Sequence, residues 1–262
     1  MTHGLPVLDP HRPRGDEFLA ALAATKPDLG VVVAYGRILP ESVLQVPTFG
    51  CINAHGSLLP ALRGAAPIER AILAGHTQTG VTIMQMDAGM DTGDMLASRS
   101  IAVPEDMDAG TLREAMAELS ADMFVAAIED IAASRTKRTP QDPQLASYAP
   151  PLRRAESRVD WERSAIEVSQ LVRAFAPAPG AFTFADQRRL KVLATSAATL
   201  EPTGRPAGFV LGIEDSMVRV ACGRGSIGLT HIQPEGKRSM SAIDYARGAE
   251  ALSVGRILGA QA

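Results

Sequence analysis

The amino-acid sequence predicts an α/β fold, a parallel sheet flanked by helices, followed by a smaller and mostly β domain. Three observations carry this. Residues 51–96 read as strand, loop, helix, strand, the grammar of a parallel α/β unit. Residues 29–34 form an earlier β-branched run of strand length, apolar at both alternating sets of positions, as an internal parallel strand is. From residue 181 onward, short apolar runs alternate with glycines and prolines at close intervals, as in a small barrel.

Taken in order, the chain opens with a short extended piece, 5–8. Asp16 and Glu17 begin a helix that runs to Ala24, their charges suiting its positive end. Lys26-Pro27-Asp28 ends it, and the strand at 29–34 follows. Residues 35–40 leave that strand as a loop and lead into a short helix. The next buried strand is 50–54. Pro67 enters a helix near 68–73, with proline in the first turn where its missing N–H costs nothing. Strands follow at 81–86 and, more irregularly, at 95–103. Residues 108–133 have helical periodicity, with Leu112, Met116, Leu119, Met123, Ala126 and Ile131 near one stripe. The Met residues read as core fillers.

Arg135, Lys137 and Arg138 and then four prolines mark 134–154 as a linker. Asp160-Trp161 starts a helix through about Phe175. Candidate strands of the second domain are 181–184, 190–197, 208–213, 217–221 and 227–233.

Composition fits two soluble domains. Of 262 residues, 46% are hydrophobic and 21% charged, enough to bury a core. Residues 1–134 hold 8 Lys/Arg and 17 Asp/Glu, a net of -9, whereas 135–262 hold 18 and 12, a net of +6. This asymmetry suggests two modules with different partners. Cys51 and Cys222 sit in apolar runs and are expected as buried thiols, with no zinc-like spacing. No run reaches 18 apolar residues and the N-terminus lacks a signal-peptide core, so no membrane partner and a cytoplasmic location are expected.

The chemistry-bearing residues lie at the ends of apolar runs. Asn53-Ala54-His55 closes one, and Asp91 follows another. Singly, Asn53 and Asp91 suit turns or caps, and His55 suits a hydrogen-bonded loop neighbour. Together at the carboxyl ends of parallel strands, where such sheets carry their sites, they suit a different task. An Asn polarises a carbonyl, a His moves a proton, and an Asp holds the imidazole.

Three stretches then carry a resemblance: N-A-H-G-S-L-L-P at 53–60, R-G-A-A-P-I at 63–68, and T-G-V-T-I-M-Q-M-D-A-G-M-D-T-G-D at 79–94. The sequence resembles the 10-formyltetrahydrofolate-dependent formyltransferase family from about Gly4 to its end. The family's opening strand, F-A-G-T-P turn and helix have no counterpart here, so the resemblance implies an N-terminally incomplete domain. It implies a Rossmann-like formyltransferase domain over 1–133, a linker over 134–154 and an OB-like tRNA-binding domain over 155–262. It implies catalytic roles for Asn53, His55 and Asp91. It implies folate contacts from Ser57, Leu58, Leu59 and Pro60, and from Gly36, Arg37 and Leu39 in the loop after the first strand. A pteridine needs an apolar slot and a few backbone hydrogen bonds, which a Leu-Leu-Pro turn provides.

The implied reaction moves formyl from 10-formyltetrahydrofolate, a co-substrate, to the α-amine of initiator methionyl-tRNA for translation initiation, with no metal and in a monomer. Other amine acceptors, a sugar nucleotide or glycinamide ribotide, are the alternative, as is an inactive folate- or tRNA-binding fragment. R-G-A-A-P-I-E-R-A, a linker running into Asp160-Trp161 and the basic second half favour tRNA. The implied tRNA contacts are Arg188, Arg189, Lys191, Lys237 and Arg238. Any one of these is commonplace on a surface, but the P-E-G-K-R-S-M loop at 234–240 resembles a segment of the tRNA-acting branch. No aromatic platform is visible, so contact with the backbone of an acceptor stem is expected rather than single-strand stacking.

Overall fold

The computed structural model describes residues 4–5, 7–9, 15–248 and 250–259. They form two compact units that interleave along the chain. One takes the described residues up to Pro67, with Thr79–Ile101 and Met116–Pro150. The other takes Ile68–Gln78, Ala102–Ala115 and the described residues from Pro151 onward.

The first unit is built on a four-stranded sheet in the order β1 (Gly30–Val32), β2 (Cys51–His55), β3 (Gln78–Gln85), β4 (Met95–Ala102). The α/β expectation holds, but the sheet is mixed. β1 runs parallel to β2, with Val32 opposite Asn53. β2 runs antiparallel to β3, with His55 opposite Thr82. The connection through residues 56–77 is long enough to return to either end of the sheet, so element order alone does not set direction. β1 also differs from the internal strand expected of 29–34. It is three residues long and ends the strand order, and Val31 and Val33 are 45% and 61% exposed. An apolar pattern reports what a strand could bury, whereas burial depends on neighbours.

Helix α1 (Asp16–Ala24) has the predicted bounds, with Asp16 and Glu17 in its first turn. Of the predicted extended piece, Pro6 lies outside the described residues, and Leu5, Val7 and Leu8 belong to no strand. α2 (Glu41–Leu44) and α3 (Pro67–Leu73) follow the expected loops. In α4 (Ala109–Ala132), Leu112, Met116 and Met123 are buried as expected; Phe124 and Ala127 join them, while Ala126 faces solvent. The sheet contributes Ile52, Val81, Ile83 and Met84 to the core, each almost fully buried. Side chains of this size contribute about 1.5–3 kcal/mol each when fully buried.

In the second unit, α5 (Ala165–Phe175) starts later than the Asp160-Trp161 expected. The Ser164 hydroxyl accepts the Glu167 N–H, and the Glu167 carboxylate accepts the Ser164 N–H, a reciprocal cap that sets the boundary. Trp161 is instead a buried anchor whose indole N–H donates to Thr183 Oγ1 at 2.9 Å. Five antiparallel strands follow in the order β5 (Ala181–Ala185), β6 (Arg188–Thr195), β9 (Ser226–Pro234), β8 (Met217–Ala221), β7 (Val210–Glu214), and β10 (Met240–Ser241) joins β9. The two ends of this path are bridged by the C-terminal segment. Val210 N–H donates to Arg256 O, Leu258 N–H to Gly208 O and Gly259 N–H to Phe184 O, each at 2.8 Å. Gly208 has φ +81°, and a Cβ there would come 2.5 Å from the Leu258 carbonyl oxygen, so this seam needs a glycine. The barrel encloses Leu190, Val192, Val218, Val220, Ile227 and Leu229. Among the described residues, no helix is long and apolar enough to cross a membrane.

Candidate active site

Asn53 and His55 are two residues apart on β2, so the pleat puts both on one face. β1 and β2 are parallel, so the loop after β1 and the turn after β2 leave the sheet at the same edge. His55 ends β2 and is 5% exposed. Its Nε2 donates to the Leu62 carbonyl at 2.9 Å, and its Nδ1 lies 3.6 Å from Asp91 Oδ2. That same carboxylate oxygen accepts the Gly64 N–H at 2.8 Å. The Asn53 side-chain amide is half-buried and finds no hydrogen-bond partner among the described residues.

Asp91 reaches His55 from the turn between β3 and β4. The Asp87 carboxylate shapes this turn by accepting the Thr92 hydroxyl at 2.8 Å and the Gly89 N–H at 3.0 Å. Gly93 packs against the backbone of Gln85, where a Cβ would overlap the carbonyl oxygen. Asp91 itself has φ +54°, a conformation Asp tolerates better than most residues.

The Ser57-Leu58-Leu59-Pro60 turn is pinned from beneath by Thr82, which stands opposite His55 in the ladder. The Thr82 hydroxyl donates to Ser57 O at 2.8 Å and accepts the Leu59 N–H at 3.1 Å. Ser57 and Leu59 are buried, and Leu58 and Pro60 are half-buried. The Leu59–Pro60 peptide is cis. In the loop after β1, Gly36 has φ +67° and open space where a Cβ would stand. Arg37 is exposed and Leu39 half-buried, beside exposed Tyr35 and Ile38. A fixed Leu-Leu-Pro turn and an open apolar loop at one sheet edge fit a flat heterocycle that needs apolar contact and a few backbone groups.

Sequence reasoning missed Thr82, Leu62 and Gly64, and also Arg63 and Gln141 as supports of the site. Thr82 left a signal, a lone hydroxyl inside the apolar run V-T-I-M. Arg63 and Gly64 lie in the R-G-A-A-P-I stretch, which shows no role for either by itself, whereas Leu62 contributes through a backbone carbonyl and Gln141 from a distant segment, which leave no signal.

The basic residues come together around one strand. Glu235 N–H donates to Arg189 O at 3.1 Å, which joins the start of β6 to the turn carrying Lys237 and Arg238. Lys191 lies further along β6, opposite Gln233. Arg188, Lys237 and Arg238 are exposed. Arg189 stands apart: its guanidinium lies 3.9 Å from the Phe182 ring centre and its Nε is buried without a partner. Phe182 and Phe184 pack edge to face at 5.8 Å, and Arg158 covers Phe184. This aromatic pair was not foreseen; guanidinium groups lie over its rings.

Burial pushes the Cys222 thiol up to about 12 and raises that of Cys51. Among the described residues, no cluster of three His, Cys, Asp or Glu side chains could hold a metal.

Residues 4–128 match the family model described as formyl transferase, and residues 151–250 match that of the formyl transferase C-terminal domain. A methionyl-tRNA formyltransferase of Pseudomonas fluorescens Pf-5 is 44% identical over 260 residues, 99% of this chain and 81% of that protein. A protein of the same name from Geobacter metallireducens is 42% identical over 246 residues, 94% of this chain and 78% of the relative. Among solved structures, HypX from Aquifex aeolicus in complex with tetrahydrofolic acid superposes with a TM-score of 0.70 at 21% identity, over 94% of this chain and 42% of that one. The methionyl-tRNA formyltransferase of Clostridium thermocellum does so with a TM-score of 0.55 at 20% identity, over 78% and 82%.

Proposed function

Because the chain belongs to the formyltransferase family, we propose that it transfers the formyl group of 10-formyltetrahydrofolate to the α-amine of initiator methionyl-tRNA for translation initiation. The observation that carries the reading is the convergence of Asn53, on the same face of β2 as His55, with an Asp91 carboxylate 3.6 Å from that imidazole. Relatives above 40% identity that carry the name methionyl-tRNA formyltransferase support the choice of amine.

In this reading the folate supplies the formyl carbon. The amine nitrogen bonds to that carbon, the bond from carbon to the folate nitrogen breaks, and a proton passes from the amine to the departing nitrogen. Asn53, whose amide has no other partner among the described residues, donates to the formyl oxygen as it gains negative charge. Removing such a donor typically costs roughly 100- to 1,000-fold in rate. His55 faces an oxygen at each ring nitrogen, and it either shares the stabilisation of the formyl oxygen or hands a proton to the folate nitrogen as that leaves. Asp91 orients His55 through Oδ2, and its second oxygen receives the amine's proton through a water. Ser57 to Pro60, with Gly36, Arg37 and Leu39, hold the folate. Residues 1–133 carry the reacting groups, 134–154 connect and, through Gln141, brace the turn at Asp91, and 155–262 hold the tRNA backbone through Arg188, Arg189, Lys191, Lys237 and Arg238. The protein acts in the cytoplasm, in keeping with two free buried cysteines, and as a monomer.

The test is formyl transfer from 10-formyltetrahydrofolate by the purified chain, with methionyl-tRNA, an amino-sugar nucleotide and glycinamide ribotide as competing acceptors. Formyl-methionyl-tRNA as the main product is expected. Preferential formylation of either small amine would overturn the choice of acceptor, and no transfer to any would leave a binding fragment.

A further inference from the structure

We infer that Gln141 is a positioning residue for the reaction, holding Asp91 at His55, with Arg63 as its brace. The Gln141 amide nitrogen donates to Asp91 O at 2.9 Å and to Gly93 O at 2.8 Å. Both amide hydrogens are therefore spent on the two carbonyls that flank the left-handed turn at Asp91. The Gln141 Oε1 accepts from Arg63 Nε at 3.0 Å and from a terminal Arg63 nitrogen at 2.7 Å. Arg63 is 5% exposed and, among the described residues, has no carboxylate within ion-pair distance. A guanidinium buried against a neutral amide is poorly compensated, which makes it weak as a stabiliser and informative as an orienting group.

The same short segment thus grips Asp91 twice. Gly64 N–H fixes the carboxylate, and Arg63, through Gln141, fixes the backbone that carries it. Backbone bonds lace the two segments together: Arg63 N–H donates to Ser147 O at 2.8 Å and Ala149 N–H to Arg63 O at 2.7 Å. Part of the stretch read as a linker is therefore a wall of the site. Asp91 has φ +54° and needs such restraint, because a non-glycine residue in that region relaxes when released.

The inference rests on the reading that Asp91 acts on His55, and the experiment separates the two. Gln141→Glu keeps the acceptor for Arg63 and removes both donors to the Asp91 turn. The measurements are kcat, KM for 10-formyltetrahydrofolate and the pH profile of kcat, for Gln141→Glu, Asp91→Asn and the double variant. Gln141→Glu is expected to lower kcat by about 10- to 100-fold, as loss of an orienting partner does at metal sites, with KM within about threefold. Its pH profile should move in the same direction as that of Asp91→Asn, and the double variant should be no slower than Asp91→Asn alone. A kcat within twofold of wild type, or a double variant that loses the product of both factors, overturns the positioning role while leaving Asp91 in place. Wild-type turnover in Asp91→Asn overturns both. If Gln141→Glu does not fold by circular dichroism, Arg63→Lys, which keeps the charge but not the fork, is judged by the same criteria.

Discussion

His55 Nδ1 stands 3.6 Å from Asp91 Oδ2, and the two side chains arrive from separate elements, the end of β2 and the turn after β3. This separation exceeds a direct hydrogen bond, so the carboxylate sits beside the imidazole without being locked to it. Asp91→Asn keeps the shape and an acceptor for Gly64 N–H but removes the charge. Turnover should fall roughly 100- to 10,000-fold, the range for acid–base groups, while folate binding stays within about threefold. Pre-steady-state formyl transfer alongside folate titration checks this; unchanged turnover would take Asp91 out of the mechanism.

A second prediction concerns Thr82, which is fully buried and carries the Ser57–Pro60 turn through two hydrogen bonds. Thr82→Val leaves Ser57 C=O and Leu59 N–H buried and unpaired. Each such orphan costs about 1–3 kcal/mol. The urea midpoint should drop, KM for 10-formyltetrahydrofolate should rise several-fold, and Thr82→Ser should restore both. A valine variant with the wild-type midpoint and KM would show that the turn holds its shape unaided.

How far the sequence could be read follows from where each contact comes from. Asn53, His55 and Asp91 could be picked out as candidates because they close or follow apolar runs and stand in the stretches that resemble the formyltransferase family, and the fold brings His55 and Asp91 to 3.6 Å. β5 to β9 were legible because glycines and prolines mark their ends. The antiparallel turn into β3 was not, since direction depends on the path through residues 56–77. The exposure of Val31 and Val33 was not, since an apolar pattern cannot report what packs against a strand. The closure of the barrel rests on backbone bonds from residues 255–259, which have no side-chain signature. Gln141 lies in a proline-rich stretch that reads as a linker, and only the fold brings it to Asp91.

The basic cluster yields a prediction about salt. Lys237 and Arg238 are exposed on the turn beside β6, the Lys237 ammonium 5.8 Å from the Tyr245 ring centre, whereas Arg189 packs more closely, on Phe182. Each phosphate contact contributes roughly 0.9 to the slope of log affinity against log salt on a duplex. Lys237→Ala with Arg238→Ala should lower that slope for tRNA by about 1–2 and raise KM for methionyl-tRNA, with kcat at saturation close to wild type. An unchanged slope would move the tRNA footprint away from this turn.

The last prediction concerns alkaline stability and rests on Cys222, buried in the second unit at 4% exposure. Burial lifts its thiol from an ordinary 9.0 to about 12, because the low-dielectric surroundings disfavour the thiolate. The neutral thiol is the form the fold prefers. Below pH 9 both folded and unfolded chains hold this proton, and the contribution is fully present. Between pH 9 and 12 the unfolded chain releases a proton that the folded chain keeps, so stability falls as pH rises, by as much as ~4 kcal/mol over the whole window. Cys222→Ala removes the titration and adds only a pH-independent packing loss. Urea midpoints of wild type and Cys222→Ala, measured from pH 8 to pH 11, should therefore differ by a constant below pH 9 and converge above it. Cys51 and the other alkaline groups are common to both proteins and cancel in the comparison. A difference that stays flat through pH 11 would mean that the Cys222 thiol ionises as easily in the folded chain as in the unfolded one.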